Sequence, residues 1–359
     1  MPFRNRLIPF ATALLMTCGA LPVVADLSQA PPLAPGGSGP GVPAVPPVPV
    51  VPQAADPSAA FLSRLLASGP TGQAGTPIAT RADQLCAPSR GLQVGLAWHR
   101  LSTEDRRLCQ SAGRDALFQP LLGTLVLIPV MGQEPGLSLT VHQLYEAITA
   151  EAAPGQPNQR THWRQIDASL PDLPIRVLLP APGSAEEIVL ERTLLTKGCE
   201  HRRSGTAEAN PGASPAGGDC GRLRQDAQVS RADATTRPGD WLATAGPGAI
   251  ALVGYGQLQA DPRLAHFVPL DGMVPTAKAR ETGDYPTIVP VYFIATHQGA
   301  QTLALGDPSV RLANTLLAEA TAGPQGQAAQ SGVAPTGPDK RVNRRKDFAQ
   351  FLTTGGVWE

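Results

Sequence analysis

The residues with the clearest chemical potential are Ser184-Ala185-Glu186-Glu187. They follow an apolar, β-rich run, Ile175 to Leu179, which Pro180-Ala181-Pro182-Gly183 breaks. Beyond Ser184, the residues Ile188, Val189, Leu190, Leu194 and Leu195 lie on or near one side of a helical stretch. A strand, a tight turn and a helix start form a unit that often holds an anion, because free backbone N–H groups point out of the helix. Here the electrostatics oppose that use. A helix start carries roughly half a positive charge, and Glu186 and Glu187 would neutralise it and repel a dianion. Ser184-x-x-Glu187 is also a capping box, which gives the Ser hydroxyl a local partner. Three uses stay open: a capped structural helix, an oxyanion held through Ser184, or another ligand such as a cation or a polar neutral solute.

Other chemistry is thinly represented. There is no GxSxG, HExxH, Walker loop or post-strand GxGxxG. His142, His162, His201, His266 and His297 share no spacing. Catalysis is therefore not expected, nor is a cofactor. No CxxC occurs and no His stands at ligand spacing to a Cys pair, so no metal site is expected.

The elements that must position Ser184 begin after two special segments. Residues 1–25 read as a secretory signal, with Arg4 and Arg6 ahead of the apolar stretch Leu7 to Val24 and small residues before a cut at Asp26. An uncleaved anchor and a lipid-modified Cys18 are the alternatives. Residues 26–77 form a Pro/Gly-rich disordered linker, as PPLAPGGSGPGVPAVPPVPVVPQ favours extended, partly polyproline II chain. Pro (38) and Gly (37) are each about a tenth of the 359 residues, above the ~7% or less of average proteins, and predict a loop-rich body. The formal charge of zero gives no reason to expect nucleic acid.

Export places the remaining cysteines, Cys86, Cys109, Cys199 and Cys220, in an oxidising compartment. Three connectivities are open; local pairing, Cys86–Cys109 and Cys199–Cys220, is the expectation. Each bridge closes a loop of roughly 20 residues and contributes about 3 kcal/mol on the loop-entropy model.

From Ile78 the pattern is strand and helix in alternation, an α/β fold. Leu92 to Ala97 alternates as a strand, and Ser102 opens a helix carrying Cys109. Pro120 to Val130 reads as one buried strand. Thr140-Val141-His142-Gln143 is a capping box. Gly248 to Tyr255, Phe267 to Leu270 and Val289 to Ala295 are further strands, and Pro308 to Ala320 is an amphipathic helix. The segment between Cys199 and Cys220 reads as a flexible insertion. Residues 323–359, with the basic Lys340–Lys346 stretch, read as a flexible tail.

Several stretches then align in order with one family: Leu137–Ile148, Thr161–Val177, Gly198-Cys199-Glu200, Gly248–Tyr255 and Leu270–Pro286, the last carrying LDG-x-VPT and G-x-YP. Over residues 78–300 the chain resembles the phosphate-binding protein of the high-affinity phosphate ABC transporter, especially α-proteobacterial forms. The resemblance implies a two-lobed type 2 periplasmic-binding-protein-like fold with mixed sheets. Residues 78–322 would form the domain, with lobe I at 78–123 and 257–322 and lobe II at 124–256. It implies a periplasmic, monomeric receptor that closes its lobes on a small oxyanion such as phosphate, beside an inner-membrane ABC permease.

By that resemblance Ser184 matches the family's Ser-Gly-Thr turn, whereas Ala185 and Glu186 replace its Gly and Thr. Arg100 falls where the family places a cleft pair after a strand, and Arg231, Thr235 and Thr236 fall near another cleft loop. The alternative reading is a degenerate domain that has lost phosphate binding and serves as a scaffold, an interaction module or a receptor for another solute.

Overall fold

The computed structural model describes residues 82–88, 91–133, 136–153, 155–209, 220–299 and 303–358. The signal and linker readings at 1–77 lie outside the described residues. In chain order the strands of the two larger sheets are β1 (Gln93–Ala97), β2 (Ala116–Phe118), β3 (Leu121–Val126), β4 (Ile128–Met131), β5 (Arg176–Leu179), β6 (Val229–Arg231), β7 (Ala249–Val253), β8 (His266–Phe267), β9 (Ile288–His297), β10 (Ala334–Pro335) and β11 (Val357–Trp358). They make two mixed sheets. The first runs β10-β3-β9-β2-β11, with β1 also paired to β9. The second runs β8-β4-β7-β5-β6. In the second sheet β5 is parallel to both β6 and β7, and all five residues of β7 are buried, the continuous apolar run of a strand covered on both faces.

The chain changes sheets at Leu127. Pro120 to Val130 is thus not one strand but two, β3 in the first sheet and β4 in the second. The way back is at Thr287, and the crossing residues hold each other. The Leu127 N–H donates to the Thr287 carbonyl at 3.0 Å, and the Thr287 hydroxyl donates to the Leu127 carbonyl at 2.6 Å. Because β8 belongs to the second sheet, the return falls after it, at 287–288, rather than at 256–257.

The helices that matter are α1 (Thr103–Ser111), α2 (Val141–Ile148), α3 (Ala185–Val189), α4 (Thr196–Ala209), α5 (Pro238–Ala245), α6 (Tyr255–Ala260), α7 (Ala277–Thr282), α8 (Pro308–Leu317), α9 (Gln327–Gln330) and α10 (Pro338–Thr354). Ser102 caps α1 and Thr140 caps α2, each in a reciprocal capping box. A π-helical turn, Leu190–Leu195, joins α3 to α4. The helix through α4 replaces part of the expected insertion: residues 200–209 are helical, and 210–219 lie outside the described residues. Cys86 pairs with Cys109 and Cys199 with Cys220, at Cα separations of 4.4 and 5.5 Å.

The expected tail at 323–359 is a correction. Helix α10 buries Phe348, Phe351 and Leu352, and β11 pairs in parallel with β2. Phe118, Phe293, Phe348 and Phe351 form one aromatic cluster, with centroids 5.3–6.1 Å apart. Two of its basic residues are buried as well. Arg344 donates to the Leu121 and Leu122 carbonyls at 2.8 and 3.0 Å, and Arg341 pairs with Glu319 at 2.6 Å. The high charge of Lys340–Lys346 concealed this face, because the arginines bury their stems and spend their guanidinium groups on backbone and carboxylate oxygens.

Candidate functional site: the strand ends at Ser184 and Arg231

Strands β5, β6 and β7 point their C-terminal ends the same way, and this is where open α/β sheets receive ligands. β5 runs into the turn before α3, β6 ends on Arg231, and β7 runs through Gly254 into α6. Two helix starts and one arginine therefore meet at one edge.

Their polar groups are already paired with one another. The Ser184 hydroxyl accepts the Glu187 N–H at 3.1 Å. One Glu187 carboxylate oxygen accepts the Gly183 N–H and the other pairs with Arg231. The carboxylate reaches back one residue further than a reciprocal box requires, and so covers the turn as well as the helix. The Arg231 side chain stays 36% exposed while that of Glu187 is 13% exposed, so the acid is the more deeply seated partner. Glu186 lies against the start of α6: a Cβ placed on Gly254 would come within 2.1 Å of its Oε1.

The C-terminal extension closes the edge from the other side. A Cβ on Gly332 would stand 3.3 Å from the Ala185 Cβ and 3.5 Å from Glu186 Oε1. A Cβ on Gly256 would stand 3.4 Å from the Ala329 carbonyl oxygen. The segment from α9 to Gly332 thus covers both helix starts, and β10, just beyond it, pairs with β3 in the first sheet. Gly332 has φ +96°, the left-handed region that favours glycine, and a Cβ on Gly254 would have to displace the Glu186 side chain.

The remaining sequence candidates are placed apart from this pairing. Thr235 sits in a turn after β6, where its hydroxyl donates to Asp233 Oδ1 at 2.8 Å and that of Thr236 donates at 2.7 Å. These bonds, that of Thr236 foremost, hold the Asp233 carboxyl down to about 2. Arg100 belongs to the first sheet's end, its guanidinium 5.6 Å from the Tyr292 ring centroid. Trp98, two residues before it, receives Arg192 of the π-helical turn at 5.4 Å, which ties the two halves together.

Sequence spacing missed two groupings. His142 and His201 come together with ring centroids 4.5 Å apart, beside the Glu146–Arg160 pair. Burial, together with the His201 and Arg202 charges, outweighs Glu146 and lowers the His142 pKa. Nevertheless, among the described residues no set of three or more His, Cys, Asp or Glu side chains is placed to hold a metal. The second grouping sets the Arg280 guanidinium carbon 5.1 Å from the Tyr255 ring centroid. Among the described residues no helix is long and apolar enough to cross a membrane.

Two α/β halves joined by paired crossing segments, with helix starts and an arginine at the strand ends between them, define a two-lobed binding-protein fold. A family model described as "PBP superfamily domain" matches residues 69–321, and the chain belongs to that superfamily of substrate-binding receptors. Among solved structures the chain is similar to a "possible phosphate binding protein" from Planctomyces limnophilus (17% identity, 72% of this chain and 81% of that one, TM-score 0.48). It is similar also to PstS from Borrelia burgdorferi (14%, 68% and 79%, TM-score 0.44) and to an ABC-type phosphate transport receptor from Vibrio cholerae (16%, 67% and 79%, TM-score 0.39). No curated protein matches.

Proposed function

We propose that this chain is a periplasmic, monomeric binding-protein-fold module whose oxyanion seat is occupied by its own carboxylates, so that free phosphate is not its ligand at Ser184 and Arg231. The observation that carries this reading is the double engagement of Glu187. One oxygen takes the Gly183 N–H and the other takes Arg231, which are the backbone donor and the cation an oxyanion would need. A tethered carboxylate competes at a high effective concentration, and Glu186 adds a second negative charge at the same edge. The partner in this reading is an inner-membrane ABC permease or another protein surface met by the closed module. It needs no cofactor and performs no catalysis.

Titration calorimetry with phosphate, sulfate and arsenate tests it. The wild-type chain is expected to give no heat up to millimolar anion, and Glu186→Thr with Glu187→Gln to give measurable phosphate binding that Arg231→Met removes. Micromolar phosphate binding by the wild type, lost in Ser184→Ala, would overturn the reading. That outcome belongs to a second reading, an oxyanion receptor in which phosphate displaces Glu187, and the exposure of Arg231 favours it.

A further inference from the structure

On the far side of α6 lies a cavity of about 400 Å³, between that helix, the turn to Leu264, β8 and the start of α7. Ile128, Leu258, Leu264 and Phe267 give it apolar walls, and Tyr255 and Arg280 stand at its rim. The Arg280 guanidinium carbon lies 5.1 Å from the Tyr255 ring centroid. The charge of the adjacent acid, Glu281, reaches it. Among the described residues no hydrogen bond or ion pair reaches this guanidinium. The neighbouring acid, Glu281, is taken by Lys340 at 2.9 Å. The acid that lines the cavity, Asp261, is held by Arg263 at 2.7 Å. Burial lowers the Arg280 pKa and outweighs the Tyr255 and Glu281 charges, which raise it.

We propose that this cavity binds a small carboxylate with an apolar aromatic or branched body, its carboxylate on Arg280 and its body on Leu258, Leu264 and Phe267. The guanidinium fork fits a planar carboxylate through two parallel N–H donors, and the Tyr255 ring beneath it keeps the fork in place. The volume lies within the range of small-molecule sites, and a single arginine among hydrocarbon walls suits a monoanion rather than a hydrated dianion. The inference goes beyond the self-occupied strand ends and does not depend on them.

The probes are phenylacetate, its neutral isostere phenylacetamide, acetate and inorganic phosphate, titrated into the full chain by calorimetry and ligand-observed NMR. Phenylacetate is expected to bind at least tenfold more tightly than phenylacetamide and acetate. Arg280→Met should abolish that preference while leaving phenylacetamide unchanged, and Leu258→Trp should weaken both aromatic probes. A readout on the unaltered chain guards against a variant that fails to fold: phenylacetate should slow phenylglyoxal modification of Arg280 at least fivefold, and phosphate should not. Absence of phenylacetate binding at millimolar concentration, binding undiminished by Arg280→Met, or an Arg280 modification rate indifferent to phenylacetate would each overturn the proposal. Displacement of phenylacetate by phosphate in a manner that needs Ser184 would place the ligand at the strand ends and overturn it too.

Discussion

Arg231 and Arg280 stand in neighbouring parts of the same half of the molecule, and their surroundings differ in kind. Arg231 ends a parallel strand where the fold has its natural receptacle, and it has been answered from within by Glu187. Arg280 lies on a six-residue helix, over the Tyr255 ring, with its adjacent acid Glu281 taken by Lys340. The topologically expected place is electrostatically closed, and the unexpected place is electrostatically open. Fold decides where a ligand can be received; the local balance of charge decides whether it is.

The two regions are separated most forcefully through the C-terminal extension, which covers the first and reaches the second at Glu281. Phe348 is buried in the four-ring cluster that holds α10 on the first sheet. Phe348→Ala removes a core aromatic and should cost about 3–5 kcal/mol in equilibrium urea unfolding. If the extension also keeps the strand ends shut, amide exchange at Ala185–Glu187 should accelerate in the same variant more than exchange across α7, which α10 touches through Lys340 and Glu281. A loss below about 1 kcal/mol would mean that the helix is docked far more loosely than its burial implies.

A smaller change sharpens the contrast without disturbing the core. Gly254 has φ −97°, which alanine adopts readily, so the obstacle to Gly254→Ala is the Glu186 side chain, whose Cγ, Cδ and Oε1 would all lie under 3.0 Å from the new Cβ. That obstacle reaches back to Cγ, so the side chain must change rotamer to clear it. The substitution should cost about 1–3 kcal/mol and should push Glu186 away from the start of α6. Unfolding measurements check the cost, and the side-chain carboxyl resonance of Glu186 checks the displacement. An unmoved resonance would show that Glu186 is not the group that covers this helix.

These two regions were not equally legible in the sequence. The caps at Ser102, Thr140 and Ser184 were, because a cap is a local pattern of hydroxyl and backbone three residues apart. The repulsive role of Glu186 and Glu187 was legible for the same reason. The partner of Glu187 was less so, since Arg231 is 44 residues away and meets it only through the parallel pairing of β5 with β6. The sheet change at Leu127 left no mark, because apolar residues continue on both sides of it. Helix α10 was hidden by its charges, although Phe348, Phe351 and Leu352 follow helical spacing. The Arg280 cavity was illegible: its walls come from four short elements, and Arg280 itself sits in a stretch whose order had value chiefly as a resemblance.

The smallest effect concerns the turn that follows Arg231, and it tests whether Thr235 is committed to structure rather than to a ligand. Asp233 Oδ1 accepts from the hydroxyls and backbone N–H groups of Thr235 and Thr236, and all of these favour the carboxylate. The folded-state carboxyl is therefore held at about 2, below its ordinary value of 3.8. A depressed value in the folded state means that the turn's contribution is fully present above pH 3.8 and is lost as the pH falls through that window toward 2. A carbon-detected NMR titration of Asp233 should show a midpoint near 2, and Thr236→Ala, which removes the leading bond, should bring it back toward 3.8. Phosphate should leave both midpoints unchanged if Thr235 serves Asp233 alone. A midpoint that moves with phosphate would mean that the threonines face a ligand, and the closed region would then have a second, polar entrance beside Arg231.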